Sequence, residues 1–270
     1  MLKLNIRLEQ PADYRTVEEL TRNAFWESSN HFCDEHLLVH KLRNIPEYIA
    51  GLDYIAELDG KLVGSVFYSK AKIVAGDGHE FGGIITFGPL SVLPEYQFQG
   101  IGRALMEFSI AEAKRLGYRG IVFFGHPDYY PRIGFRRAYE FGILPQWGAD
   151  DCEQLMAMPL YDGTFDGVSG KFVESDAFSD LLEGELMEFD RLFPPKAPPK
   201  RQPIEILLER LEPPARKALG AFLDSPFNWK LLADMRGISE RQMLGVPGID
   251  ANAIAVIKQV MRENGKRWGV

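Results

Sequence analysis

Between Phe193 and Pro203 the chain reads F-P-P-K-A-P-P-K-R-Q-P. Each proline fixes its own φ and removes a backbone donor, so no helix interior or central strand can run through this stretch. An extended spacer is the conformation that such a composition favours. The chain is therefore read as two modules, 1–193 and 204–270, joined by a linker at 194–203. Charge divides near the same place. Lys200–Val270 holds 12 Lys and Arg against 8 Asp and Glu, a surplus of +4, while the other 199 residues carry −11. Modules with such different surfaces are expected to do different work.

The whole chain has the composition of a soluble globular protein. The chain of 270 residues is 46% hydrophobic and 26% charged, enough for one large core or two smaller ones. No apolar run approaches the roughly 18 residues of a membrane helix. Met1-Leu2-Lys3-Leu4-Asn5 is not followed by a sustained apolar stretch, so a signal peptide is not read here. A cytoplasmic protein with no membrane partner is expected. Cys33 and Cys152 lie in no C-x-x-C pair, which points away from zinc and redox motifs and toward free thiols. His36 and His40, four apart, can share a helix face but lack a third ligand. An ordinary solvated helix face is expected there, and no metal.

Periodicity places the elements. Leu4–Leu8 alternates as a strand; Pro11–Trp26 and His36–Asn44 read as helices. Tyr54–Leu58, Asp59-Gly60 and Leu62–Tyr68 make a hairpin, with Asp-Gly as a two-residue turn. Lys70–Val74 and Ile84–Val92, around Gly76-Asp77-Gly78, suggest a second. A helix over about Gly100–Leu116 and a short strand at Ile121–Phe124 follow. The order β-α-α-β-β-β-α-β-α, with strands after it, implies a mixed α/β sheet and not a repeating β-α-β array.

The loop Pro94-Glu-Tyr-Gln-Phe-Gln-Gly-Ile-Gly-Arg103 precedes that long helix. A helix starts with about four unpaired N–H groups and a partial positive charge. Glycines at 100 and 102 let a ligand approach the main chain, so the loop can act as an anion nest. Alone, G-x-G before a helix is more often a turn packed against a sheet. It is no Walker loop, since no G-K-[ST] follows, and no Rossmann fingerprint, since the third glycine is missing.

Its flanks add specificity. Leu90-x-Val92-x-Pro94-x-x-Gln97-x-x-Gly100-x-Gly102 resembles motif A of the GNAT superfamily of N-acetyltransferases. Tyr130-Pro131-Arg132-Ile133-Gly134-Phe135 looks like the Y-x-x-x-G-F of motif B. The longer string Phe124–Phe135 is similar to the YhbS-like bacterial subgroup. The resemblance covers roughly residues 1–190. It implies a mixed, mostly antiparallel sheet flanked by helices, here followed by a small all-α domain. It implies acetyl-CoA as cofactor, its pyrophosphate on Gln97, Phe98, Gln99, Gly100, Ile101, Gly102 and Arg103. Leu90 and Val92 would offer backbone bonds to the pantetheine arm. Tyr130 would be the general acid that protonates the leaving thiolate; the adjacent Tyr129 is left structural. Many family members carry Asn after the fifth strand, where this chain has Gly125-His126-Pro127-Asp128, so that contact is not carried over.

Acetyl transfer to an amine also needs a base. The strand Ile84–Leu90 carries no acid. His126 is the candidate named for the role, on its ordinary pKa of about 6.5; Glu27, Glu80 and Asp128 stand behind it. The acceptor is read as a small-molecule or peptide amine, and the −11 of the first 199 residues leans toward a cationic one. Two rival readings stand: an acyl-CoA-binding regulator without turnover, and a nucleic-acid-associated protein working through its tail.

The tail, 204–270, reads as helices at Ile204–Leu211, Ala215–Leu223, Phe227–Met235 and Ala251–Glu263, with Pro213-Pro214 breaking or restarting the helix. Leu244–Asp250 is faintly similar to a helix-hairpin-helix. The segment also resembles the C-terminal domain of the RNA polymerase α subunit. Asp250 stands where the hairpin's last glycine is usual, and its carboxylate would repel phosphate. Protein interaction is therefore preferred over nucleic acid for 204–270. A homodimer is left open.

Overall fold

The computed structural model describes residues 4–26, 33–125, 127, 129–146, 152–179, 181–197, 203–223 and 240–263. They fall into two compact units, one ending at Lys196 and one taking in the chain from Ala197 onward.

In the first unit, Asp59 and Gly60 both have positive φ, 51° and 79°, as a two-residue hairpin turn requires. They fold β2 (Tyr54–Leu58) back on β3 (Lys61–Val74), with Leu58 opposite Lys61. Leu62–Tyr68 and Lys70–Val74, expected as separate strands, form this one long strand. It pairs along its length with β4 (Glu80–Val92). β1 (Leu4–Leu8) adds antiparallel to β2, and β5 (Gly120–Phe124) adds parallel to β4. β6 (Arg136–Arg137), β7 (Ile143–Pro145), β8 (Leu155–Pro159) and β9 (Gly170–Val173) complete the sheet. Its order is β1-β2-β3-β4-β5-β8-β6, with β9 joining β3 to β7. Most pairs are antiparallel. The element order agrees with expectation through β5. Next after it, among the described residues, a short 3-10 turn, Tyr130–Ile133, stands in place of a helix, because Gly134 turns left-handed at φ 105° and stops it.

Side chains alternate across the sheet. Tyr54, Val66, Tyr68, Ile85 and Phe87 share one face with Leu105 and Met106 of α3 (Ile101–Arg115). Ile55 and Phe67 point the other way, onto Val17 of α1 (Tyr14–Phe25) and Leu38, Val39 and Leu42 of α2 (Glu35–Leu42). A second apolar group on that other face joins Ile84, Val122, Ala157 and Phe172. His36 departs from expectation: it is fully buried, because Phe189 and Phe193, at and after α4 (Glu183–Asp190), cover it. Burial pushes its imidazole down to about 4.

The second unit contains α5 (Pro203–Arg210), α6 (Pro213–Leu223), α7 (Glu240–Leu244) and α8 (Ala251–Glu263). The proline pair opens α6, where a missing N–H costs nothing. α8 buries Ala253, Ile254, Ile257, Val260 and Met261, a three-to-four spacing that packs on Leu207, Leu211, Leu219 and Met243. Ala253 N–H donates to Asp250 Oδ1 at 2.8 Å, so this aspartate caps α8. The expected helix Phe227–Met235 lies outside the described residues.

α1 and α2 are tied down by charge as well as by apolar contact. The Arg43 guanidinium, nearly buried, binds Glu9 at 2.6 Å and Glu18 at 2.8 Å. Arg43→Met would leave the buried Glu9 carboxylate without its cation, while Glu18 would keep His40 at 3.0 Å and Arg15 at 3.9 Å. It is expected to destabilise the first unit by about 3–5 kcal/mol, read by urea unfolding.

Candidate active site

β4 and β5 pair at only two positions, Ile84↔Gly120 and Ile85↔Ile121. From Thr86 onward β4 runs on to Val92 without β5 beside it, while its other edge stays on β3. The two parallel strands therefore fork. Just past the fork, Phe87 to Leu90 of β4 covers the register that Tyr68 to Val66 covers on β3. One residue of β4 is inserted there, at Gly88-Pro89. A bulge bends its strand, and proline cannot donate to a ladder.

On the α3 face the fork is floored by rings. Phe87 and Phe123 stand 4.0 Å apart between centroids, and Tyr130 packs on Phe123 at 4.5 Å and on Phe87 at 5.7 Å. Burial raises the Tyr130 phenol above its ordinary pKa, so it stays protonated through neutral pH. Among the described residues its hydroxyl has no hydrogen-bond partner. Gly125 makes room for this ring: a Cβ there would sit 2.4 Å from Phe123 Cε2 and 2.5 Å from Tyr130 Cε2.

The loop leaves β4 at the same end. Gln97 Nε2 donates to the Val92 carbonyl and Gln99 Nε2 to the Glu95 carbonyl, each at 3.0 Å, so both side chains brace the loop. Phe98 has φ 60°, uncommon for a residue with a side chain, and is fully exposed. Gly100 is left-handed at φ 88°, with open space where a Cβ would be. It begins α3 with no side-chain cap, leaving the first-turn amides free for a ligand. Ile101 is buried against the core. Gly102 lies against Val92 and Leu90: its Cβ would be 3.5 Å from Val92 Cγ2 and 3.9 Å from Leu90 Cδ2. The Tyr129 hydroxyl is also 3.9 Å from that point, so Tyr129, left structural on sequence grounds, reaches the start of α3. Arg103 is exposed and paired with Glu107 at 2.7 Å. Leu90, Val92, residues 97–103 and the Tyr129–Tyr130 pair are thus one neighbourhood.

The candidate bases fare differently. His126, Asp128 and Glu27 lie outside the described residues. Glu80 opens β4, six residues before Thr86 and about 20 Å away at strand rise. It is bound to Lys72 at 2.5 Å, so it is not at the fork. A carboxylate that spacing did not single out is there. Thr86 Oγ1 donates to Glu174 Oε2 at 3.4 Å, and Glu174 follows β9 directly. Burial pushes its carboxyl up to about 7. Only the strand pairing β3–β9 brings it there, so no local pattern announces it.

Comparison with known proteins agrees with this geometry. A family model described as an acetyltransferase (GNAT) domain matches residues 51–137, which span β2 through β6. The uncharacterized N-acetyltransferase YhbS of Escherichia coli K12 is 30% identical over 166 residues, 61% of this chain and 92% of that protein. The chain belongs to the GNAT family of N-acetyltransferases. Among solved structures, GNAT-family YhbS from Escherichia coli in complex with CoA superposes with a TM-score of 0.58 at 27% identity. The match covers 67% of this chain and 95% of that one. A GNAT-family acetyltransferase from Brucella melitensis in complex with acetyl-CoA gives 0.52 at 27% identity, over 66% of this chain and 99% of that one. The family fold is thus the first unit's mixed, mostly antiparallel sheet with its flanking helices; the α5–α8 helices follow it. Among the described residues no helix is long and apolar enough to cross a membrane.

Gly125→Ala is expected to displace the Phe123 and Tyr130 rings. The strain should cost about 1–3 kcal/mol and change the near-ultraviolet circular dichroism.

Proposed function

We propose that this protein transfers an acetyl group from acetyl-CoA to a primary amine, by direct attack in a ternary complex. The carrying observation is the junction of the β4–β5 fork with the uncapped start of α3. An extended thioester arm needs a strand edge without a neighbour, and a pyrophosphate needs converging amides. Both are present, one loop apart, and the residues fit acetyl-CoA on that ground. The complexes of the two solved relatives with CoA and acetyl-CoA support the same reading.

In this reading residues 97–103 hold the pyrophosphate through backbone amides, with open space at Gly100 letting the phosphates come close. Leu90 and Val92 offer main-chain bonds to the arm. When bound, acetyl-CoA supplies an activated acyl group. Tyr130 gives its proton to the departing sulfur, since burial keeps the phenol protonated. The catalytic domain is 1–193, with 194–203 as linker and 204–270 as an appended interaction module. The acceptor is a small-molecule or peptide amine.

Tyr130→Phe should lower kcat by up to about 10²–10⁴-fold, with CoA affinity unchanged by calorimetry. Undiminished turnover of an accepted amine would remove the acid role. Gly100→Glu should abolish CoA binding by putting a carboxylate among the phosphates. Gly100→Ala carries only the left-handed strain, about 1–2 kcal/mol, and should still bind. Equal CoA affinity in Gly100→Glu and the natural protein would sink the loop assignment. Binding of acetyl-CoA without thiol release across an amine panel would favour a regulator over an enzyme.

A further inference from the structure

We propose that Glu174 is the group that takes the acceptor amine's proton, working through the β4–β5 fork from the face of the sheet opposite Tyr130. This rests on the acetyltransferase reading above.

Position is the first argument. The last β4–β5 pair is Ile85↔Ile121, so Thr86 is the first β4 residue past the fork. Ile85 and Phe87 point to the Tyr130 face. Thr86, between them, points to the other, and there its hydroxyl meets Glu174. The chain after Glu174 continues along β4: Phe178 Cε1 lies 3.5 Å from where a Gly88 Cβ would be, and Ala177 and Phe178 pack against the α2 side. A carboxylate and a buried phenol therefore flank one opening from opposite sides. β4 carries no acid of its own between Ile84 and Val92. The end of β9 supplies one in its place.

Surroundings are the second argument. A half-buried carboxylate costs stability unless a cation or good hydrogen bonds compensate it. Glu174 has one loose bond, from Thr86, and no cation pairs with it among the described residues. The nearby lysines are turned elsewhere: Lys72 of β3 binds Glu80, and Lys171 of β9 binds the Gln146 carbonyl. β5 brings no charged residue. Asp176 and the Asp34 and Glu35 carboxyls at the start of α2 are acidic, so they offer no compensating cation. Burial is what raises the Glu174 carboxyl to about 7, against the smaller downward effect of the Thr86 bond. A base poised near neutral pH is what proton transfer from an amine calls for.

The step balances. The amine nitrogen forms a C–N bond with the acyl carbon, and the C–S bond breaks. One proton passes from that nitrogen to Glu174, and one from Tyr130 to the departing sulfur. Glu174 then returns its proton through solvent to the Tyr130 phenolate, leaving amide and thiol as products.

The test uses the full-length protein with acetyl-CoA and n-butylamine as the probe, following thiol release from pH 6 to 9. With kcat/KM expressed per concentration of neutral n-butylamine, the form that attacks, the natural protein should show an acidic limb near pH 7. Glu174→Gln should lose that limb and about 10²–10⁴-fold in rate, while acetyl-CoA affinity is kept. Glu174→Asp, which keeps the carboxylate, should retain a limb at reduced rate. A second readout needs no turnover. Because the folded pKa lies above the unfolded one, this group's contribution to stability is full below the unfolded pKa and is lost as pH rises through about 7. The Tm of the natural protein should therefore fall from pH 5 to 8 relative to that of Glu174→Gln. Glu174→Gln with the natural pH profile and rate, or parallel Tm curves, would overturn the proposal. Acetyl-CoA binding to neither protein would overturn the acetyltransferase reading itself.

Discussion

Two ladder positions, Ile84↔Gly120 and Ile85↔Ile121, are all that join β4 to β5. The arrangement of the candidate site depends on that ladder being so short. Had it continued, the β4 edge would be closed by hydrogen bonds and no extended ligand could lie along it. The bulge at Gly88-Pro89 lies just past the stop, where an inserted residue bends β4 while β3 holds its other edge through Val92. The aromatic floor of Phe87, Phe123 and Tyr130 packs the α3 face of the opening.

The opening divides the chemistry between two faces. On one lie α3, its uncapped amides, Gly102 against Leu90 and Val92, and a phenol whose burial keeps it protonated. On the other lie Thr86, Glu174 and the packed helices α1 and α2. Rigidity on that second face has its own source in the buried Arg43 between Glu9 and Glu18. An opening flanked by moving parts would not hold Glu174 and Tyr130 in register across a sheet.

Much of this was legible in the residues. Asp59-Gly60, the period of α3 and the alternation of β4 are local signals, and they placed the elements to within a few residues. The loop was legible because two motifs, Leu90–Gly102 and Tyr130–Phe135, stood in order at suitable spacing. Less legible was anything that depends on non-local pairing. Leu62–Tyr68 and Lys70–Val74 looked like two strands, but β4 pairs with Tyr68, Ser69 and Lys70 alike and makes them one. His36 looked exposed because the rings that bury it come about 150 residues later, at Phe189 and Phe193. Glu80, one of the weaker candidate bases, opens β4 at the end away from the fork.

The sequence by itself determined the family, because the motifs Leu90–Gly102 and Tyr130–Phe135 are carried by residues close together whose spacing is the signal. Tertiary structure alone decided that β4 and β5 part after Ile85. It decided too that Tyr129 reaches the start of α3, and that a carboxylate from the end of β9 stands against Thr86. Those facts follow from strand order and register, which bring distant segments side by side, and a linear pattern does not encode which segments those will be.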